Sequence, residues 1–422
     1  NNQQITTKTL NILEKIYDQK YTGFGSEPKF PMPHYLIYLL KMQSKASDNK
    51  YLEMAEASLD SMRAGGIFDQ LGGGFHRYAT DRKWEVPHFE KMLYDQALLI
   101  YSYAEAYQAT GKELYLDTIK KTVSYLKREM RDQNGCFYSA EDADSEGIEG
   151  KFYFWEKKEI EKILSAAEYQ EFFEVFKEQN SNKITLSLKK AEDFDKLPEI
   201  KAKLFKERKK RVRPLKDEKI LTDWNGLTAA ALAKAGFVTN NQEYISLAEE
   251  TANYIFENRR DQAGNLVHSY HQGKASAVDN LDDYASLLWA FLELHQATLK
   301  KEYLLKAEKI VKTMTARFWD QKTGGFYFTA AENNEFFLRQ KKTEDSAIPA
   351  ANSTASYNML RLSHLLNEPE LRDKVEQMLN TFASEINAAP VSHIFMVLAY
   401  KYLENPFQEL NIYGDLNNPK IT

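Results

Sequence analysis

The sequence predicts an all-α fold, an (α/α)6 toroid of six helical hairpins with short β-hairpins in the long loops on one face. Three observations predict it. Helical periodicity dominates the chain, several helix pairs share a four-residue connector, and glycine-bearing aromatic loops recur, the last three intervals being about 60–65 residues each.

The helical segments are legible in order. Pro33–Ser44 opens with Pro at the first-turn position and repeats Tyr35, Leu36, Leu39 and Leu40 on one side. Similar patterns run through Tyr51–Ala64, Phe89–Thr110, Leu114–Met130, Gly226–Val238 and Tyr244–Asn258. They continue through Tyr284–Thr298, Tyr303–Trp319, Ala355–Leu366, Leu371–Ile386 and His393–Leu403. The connectors Ala109-Thr110-Gly111-Lys112, Thr239-Asn240-Asn241-Gln242 and Thr298-Leu299-Lys300-Lys301 are short enough only for antiparallel neighbours. At the other helix ends the loops are long, with glycines at Gly23/Gly25, Gly65/Gly66, Gly135, Gly264 and Gly324/Gly325. The interval from Gly135 to Gly264 counts as two units, which places a further loop near residue 200, where Lys183–Leu188 reads as a short strand. Six loops, each followed by a helical hairpin, close one circle of about twelve helices, so residues 1–422 are expected to form a single domain. The long-loop face is then the rim of a funnel in which ligands bind.

Composition narrows the function. The 422 residues carry 56 Lys+Arg against 61 Asp+Glu, and this mild acidity argues against a partner that is a nucleic-acid backbone. No apolar run reaches the roughly 18 residues that a membrane-crossing helix needs, so no membrane partner is expected and a cytoplasmic protein is. The single cysteine, Cys136, excludes an internal disulfide and a cysteine-cluster metal site. The basic run Lys201–Arg213 reads as a solvated helix ended by Pro214.

Acidic and amide residues follow the long loops: His88-Phe89-Glu90, Asp223-Trp224-Asn225, Asp282-Asp283-Tyr284, and Glu344-Asp345 ahead of Asn352-Ser353. Between Gly135 and Gly150 stand Glu141, Asp142, Asp144, Glu146 and Glu149. Asp, Asn and Ser are ordinary helix N-caps, so one per helix start needs no active site. Doublets beside Trp or Tyr that converge on one mouth exceed what caps require. Glycoside hydrolysis uses two carboxyl groups flanking the scissile bond, and sugar epimerisation uses groups that remove and return a proton beside a carbonyl, often histidines. Of the eight histidines, His34, His295, His364 and His393 fall in helical patterns, and His268 and His271 flank Tyr270 in a polar loop. His76, followed by Arg77, and His88 lie on the long-loop side, with His88, Lys91 and Asp95 spaced to share one helix face. No His/Cys cluster has zinc spacing, Gly72–Gly74 lacks the surroundings of a phosphate loop, and Asp142–Gly147 is out of register for an EF-hand. No metal or cofactor is demanded.

At these motifs the chain resembles a known family, the thioredoxin-domain-containing proteins related to spermatogenesis-associated protein 20. The resemblance rests on Gly25–Pro31, Gly65–Leu99, Ser139–Gly147, Lys219–Leu227 and Asp282–Ala285. It implies a six-hairpin toroid resembling glycosidases and N-acylglucosamine 2-epimerases. It also implies an N-terminal thioredoxin-like domain that this sequence lacks, so the chain, which does not begin with Met, is read as the C-terminal portion of a longer protein.

The expectation is a carbohydrate-active enzyme acting on a small sugar or glycan, with glycoside hydrolysis ahead of 2-epimerisation because carboxylates outnumber well-placed histidines. Asp223 and Asp283 are the expected acid/base pair, with His88 and Glu90 sharing proton transfer or holding hydroxyls. Trp84, Trp224 and Tyr284 are expected as stacking faces, Asp142 and Asp144 at the mouth, and His76, Arg77, Asn225, Asp345 and Asn352 around the substrate. The alternative of another class is a non-catalytic sugar- or protein-binding scaffold for a thioredoxin-like domain.

Overall fold

A computed structural model describes residues 2–42, 49–179, 181–332 and 339–404. The chain runs through α1 (Asn2–Ile16), α2 (Pro33–Met42), α3 (Lys50–Ala64), α4 (Leu93–Thr110) and α5 (Glu113–Tyr125), the last continued by a π-helical turn, Leu126–Met130. Three helices follow, α6 (Lys157–Ile163), α7 (Ala166–Val175) and α8 (Pro198–Arg208). Then come α9 (Thr222–Thr239), α10 (Gln242–Asn258), α11 (Leu281–Thr298), α12 (Lys301–Phe318), α13 (Ala351–Leu366), α14 (Pro369–Thr381), short α15 (Ala383–Ala388) and α16 (Ile394–Glu404).

The toroid is present. Helices α2, α4, α9, α11, α13 and α16 each pack on the next, and α16 returns to α2 to close the inner ring. Around them stand α1, α3, α5, α10, α12 and α14. Side-chain distribution decides the layer. In α9, Leu227 to Gly236 are buried without interruption, as a helix needs to be when it is packed on both sides. In α12 only the stripe Tyr303, Ala307, Ile310, Val311, Met314 and Phe318 is buried, the pattern of a helix with one wet face. Gly226 lets α9 approach α11, since a Cβ there would stand 2.7 Å from that of Ser286.

Five of the long loops open identically, with an Asp-Gln pair at 18–19, 69–70, 132–133, 261–262 and 320–321. Each pair follows the first residue of an antiparallel bridge: Tyr17 to Phe24, Phe68 to Phe75, Arg131 to Phe137, Arg260 to Leu266 and Trp319 to Phe326. Within each turn the Asp N–H donates to a carbonyl across it, at 2.8–3.0 Å. The carboxylate meanwhile accepts N–H groups inside the turn, as Asp69 does from Leu71 and Gly72. In three of the five a carboxamide near the start of the next inner helix then grips the returning strand. Gln96 accepts from the Phe75 N–H and donates to its carbonyl, both at 2.7 Å. Asn225 does the same to Phe137 (2.7 and 2.9 Å), and Asn352 to Phe326 (2.9 and 2.8 Å).

Several expectations shift. Gly65 and Gly66 lie against the backbone of Trp84 and Glu85, and the second turn instead uses Gly74. No sixth glycine loop lies near residue 200. The long interval there holds an insertion, α6 to α8, with its own apolar cluster of Trp155, Ile160, Phe172, Phe176, Leu188 and Leu204. The strand within Lys183–Leu188 pairs with Trp155–Glu156 inside that insertion. The sixth connection of the ring is Phe382–His393, between α14 and α16. Helix α4 begins at Leu93 and not at Phe89, because His88 pairs with Tyr78 and Lys91 with Glu141. His88, Lys91 and Asp95 therefore share no helix face. Residues 43 and 44 of the first expected helix lie outside the described residues. The basic run is not simply solvated. Arg208 holds Asp69 through two hydrogen bonds (2.7 and 2.8 Å), Arg211 caps the Phe152 and Phe154 carbonyls, and Arg213 holds Glu141. Among the described residues no helix is long and apolar enough to cross a membrane.

The clamps predict a stability effect. Asn352→Leu removes both partners of the Phe326 peptide groups without changing size, which should cost about 2–4 kcal/mol. Urea unfolding at an unchanged midpoint would contradict the clamp.

Candidate active site

Because each inner helix follows a long loop, all six inner N-termini face the same end of the ring. At α11 that loop is a ribbon. Ile220–Leu221 pairs with Val267–His271, which pairs with Lys274–Val278. The register sets His268 beside the starts of α9 and α11. Helix α11 opens with a capping box in which the Asn280 side chain accepts from the Asp282 N–H and Asp283 Oδ2 accepts from the Asn280 N–H at 2.9 Å. The other oxygen, Asp283 Oδ1, accepts from His268 Nδ1 at 2.9 Å. Asp283 is fully buried, while about a quarter of the His268 side chain reaches solvent. Asp223, in the first turn of α9, accepts among the described residues only from the adjacent Trp224 N–H, at 2.8 Å. Asp223, His268 and Asp283 each bring an atom within 4.8 Å of the other two.

Crowded carboxylates with little solvent shift protonation. Burial, then the charge of Asp283, pushes the Asp223 carboxyl well above the usual carboxylate range. Half-buried Asp282 rises to about 6 through burial and the same charge, although an Ala351 backbone N–H and Lys342 pull it down. Burial opposes a charged His268, yet the hydrogen bond and charge of Asp283 prevail and raise its pKa. The cluster thus offers proton donors and a carboxylate base together near neutral pH. Among the described residues it is also the one set of three side chains that could meet at a cation, but the contact between His268 and Asp283 is a hydrogen bond, which a metal would have to displace.

A second group stands on the same rim. His88 reaches Glu90 through Nε2 (3.2 Å) and Glu149 through Nδ1 (2.7 Å), and Arg77 pairs with Glu90 at 2.9 Å. His88 stacks on Tyr78, which leans on the exposed ring of Phe30. Tyr94 lies near Arg77 and meets Trp224 edge-on with ring centroids 4.8 Å apart, joining this group to Asp223. Asp142 and Asp144 are exposed in the hairpin that carries Glu149, where Asp142 accepts the Asp144 N–H.

Other expected site residues turn inward. Trp84, 1% exposed, donates to the Tyr21 carbonyl and has no free face for a sugar. His76 lies between Phe89 and Tyr153, its Nδ1 on the Phe89 carbonyl, with burial holding its pKa at about 3. The Tyr284 hydroxyl is tied to Asp279, Arg317 and the Leu266 N–H. Asn225 and Asn352 are the loop clamps. Buried Asp345 accepts from Ala350 N–H and Ser353 Oγ, and burial lifts it to about 7. Sequence reasoning gave Asp282 no role beyond its doublet with Asp283, passed over Tyr78 and Phe30, and left His268 in a polar loop. The alternation Val267-His268-Ser269-Tyr270-His271 was the signal that His268 rides a strand with one face toward the helices.

The dyad makes a direct prediction. By proton NMR, the His268 imidazole should titrate above an ordinary histidine and return toward about 6.5 in Asp283→Asn. An unshifted imidazole in the parent chain would contradict it.

No protein-family model matches the chain. Among solved structures, a D-mannose isomerase aligns with TM-score 0.65 at 11% identity over 96% of this chain and 97% of its own. A family 76 α-mannanase from Bacteroides thetaiotaomicron aligns with TM-score 0.60 at 12% identity over 96% of this chain and 95% of its own. At such identities the likeness shows the toroid fold. Human spermatogenesis-associated protein 20 is 32% identical across 97% of this chain, which spans 59% of the human protein's length. The chain is therefore a homologue of spermatogenesis-associated protein 20, matched along nearly all of its own length.

Proposed function

We propose that the chain is a carbohydrate-active enzyme that moves protons on a small sugar at the cluster of Asp223, His268 and Asp282, with Asp283 holding His268. The convergence of Asp223, His268 and Asp283 within 4.8 Å carries the reading. Isomerase or 2-epimerase chemistry is favoured over hydrolysis because Asp283, one of the two carboxylates a hydrolytic pair would need, is committed to His268 and Asn280. The ionised Asp282 takes a proton from the carbon beside the sugar carbonyl, while neutral Asp223 or cationic His268 gives one to the carbonyl oxygen. In isomerisation Asp282 returns that proton to the neighbouring carbon while an enediol hydroxyl gives its proton back to the group that protonated the carbonyl. In 2-epimerisation cationic His268 protonates the other face, Asp223 recovers the oxygen proton, and Asp282 and His268 reset by exchange with water. The rings of Trp224, Tyr78 and Phe30 offer stacking faces, and Arg77, His88 and Glu90 offer hydroxyl partners. Toroid likeness to a D-mannose isomerase supports this reading.

Hydrolysis is the second reading, favoured by the different protonation of Asp223 and Asp282, which suits an acid and a base on either side of a glycosidic bond. NMR product analysis on a panel of mono- and disaccharides separates the two, since an isomer and a cleaved sugar have different spectra. Sugar binding with no product would favour the scaffold reading.

The pH dependence follows from the signs. Asp282 must be ionised, so kcat/KM should rise as pH climbs through about 6. It should fall above neutrality as the Asp223 and His268 group loses its proton. Asp282→Asn should lower kcat by about a hundredfold or more and remove the acidic limb. A profile that keeps that limb in the variant would rule out Asp282 as the base.

A further inference from the structure

At the opposite end of the ring, where the inner helices finish, lies an open cavity of about 410 Å³ lined by Lys41, Tyr101, Glu105, Lys234, Tyr357 and Arg361, among others. Its charges are internal. Side-chain exposure is 14% for Lys41, 11% for Glu105, 6% for Lys234 and 13% for Arg361. Lys41 and Lys234 share Glu105 at 2.8 and 3.3 Å, and Arg361 holds Glu293, which lies behind it, at 2.7 Å. Glu293 is already engaged by the Tyr101 hydroxyl and the Trp289 indole. Among the described residues three cations therefore face two carboxylates, and a fourth cation, Lys401, donates to the Lys41 carbonyl at 2.6 Å.

Helix dipoles do not account for this excess. A helix C-terminus favours cations within its last turn, where only Lys41 of the three stands. Lys234 and Arg361 each sit five residues before the end of their helix, level with Glu105 and Glu293 in theirs. Packing does not account for it either, because burying such a network usually stabilises a fold less than apolar side chains of the same volume. The cavity is in the size range of small-ligand sites, and Tyr357 and Leu292 give it apolar wall beside the charges.

We infer that this far-end cavity binds an organic anion of monosaccharide size, its phosphate or carboxylate held by Lys41, Lys234 and Arg361 and its carbon skeleton against Tyr357. Charge-assisted hydrogen bonds from a guanidinium and two ammonium groups suit either anionic group. The site stands on its own residues, independent of the acid–base cluster at the other end.

Isothermal titration of the whole chain with glucose 6-phosphate and with gluconate tests it, the two ligands separating the phosphate from the carboxylate. At least one should bind saturably, and Arg361→Gln and Lys41→Gln should each weaken that binding tenfold or more. Lys41→Gln leaves Glu105 paired with Lys234, so its fold, checked by circular dichroism, decides the matter if Arg361→Gln does not fold. Binding by neither anion, or binding undiminished in folded Lys41→Gln, would overturn the inference.

Discussion

The structure depends on one constraint: each long loop must turn the chain back so that the next inner helix starts at the same end of the ring. Five of the six connections meet it with an Asp-Gln turn, reinforced in three by a carboxamide clamp. The turn aspartates satisfy backbone N–H groups that a tight reversal would otherwise leave unpaired, and Gln96, Asn225 and Asn352 then fix where the returning strand meets the helix. With the helix starts registered in this way, side chains of their first turns meet at the rim. Asp223 and Asp283 come from different helices and His268 from the ribbon between them, so their meeting is a property of the ring and not of any one segment.

The same geometry supplies the chemistry. Helix N-termini favour carboxylates, so acids are tolerated there even when poorly solvated. Three of them in one place cannot all ionise freely, and burial divides their roles. Asp283 keeps His268 charged, Asp223 is held toward its neutral form, and half-buried Asp282 titrates near 6. Each state depends on its neighbours.

Much of the fold was legible in the sequence, because helix period and four-residue connectors are local signals. All six inner helices, five of the six outer ones and the tight turns were placed from them, while α1 went unread. The insertion was not, since spacing alone cannot tell a repeat unit from an addition of similar length. The recurring Asp-Gln pair, which would have separated the two, was overlooked in favour of the glycines. For the site, the acids and Trp224 were visible as motifs after loops. What the sequence could not show is which face of each motif turns outward. Trp84 and Tyr284 carry the right rings, yet one packs under Tyr21 and the other braces Asp279 and Arg317. His268 looked unremarkable in its polar loop because its partner, Asp283, lies fifteen residues away and only the strand register brings them together.

The central claim is that this rim moves protons on a sugar, and solvent isotope exchange tests it most directly. Mannose, glucose and cellobiose would be incubated with the chain in deuterium oxide and followed by NMR. The account predicts deuterium at the carbon beside the carbonyl, in recovered substrate or in product, and none with Asp223→Asn or Asp282→Asn. Turnover of any of these sugars without deuterium on carbon would contradict it and leave hydrolysis as the reaction of this site.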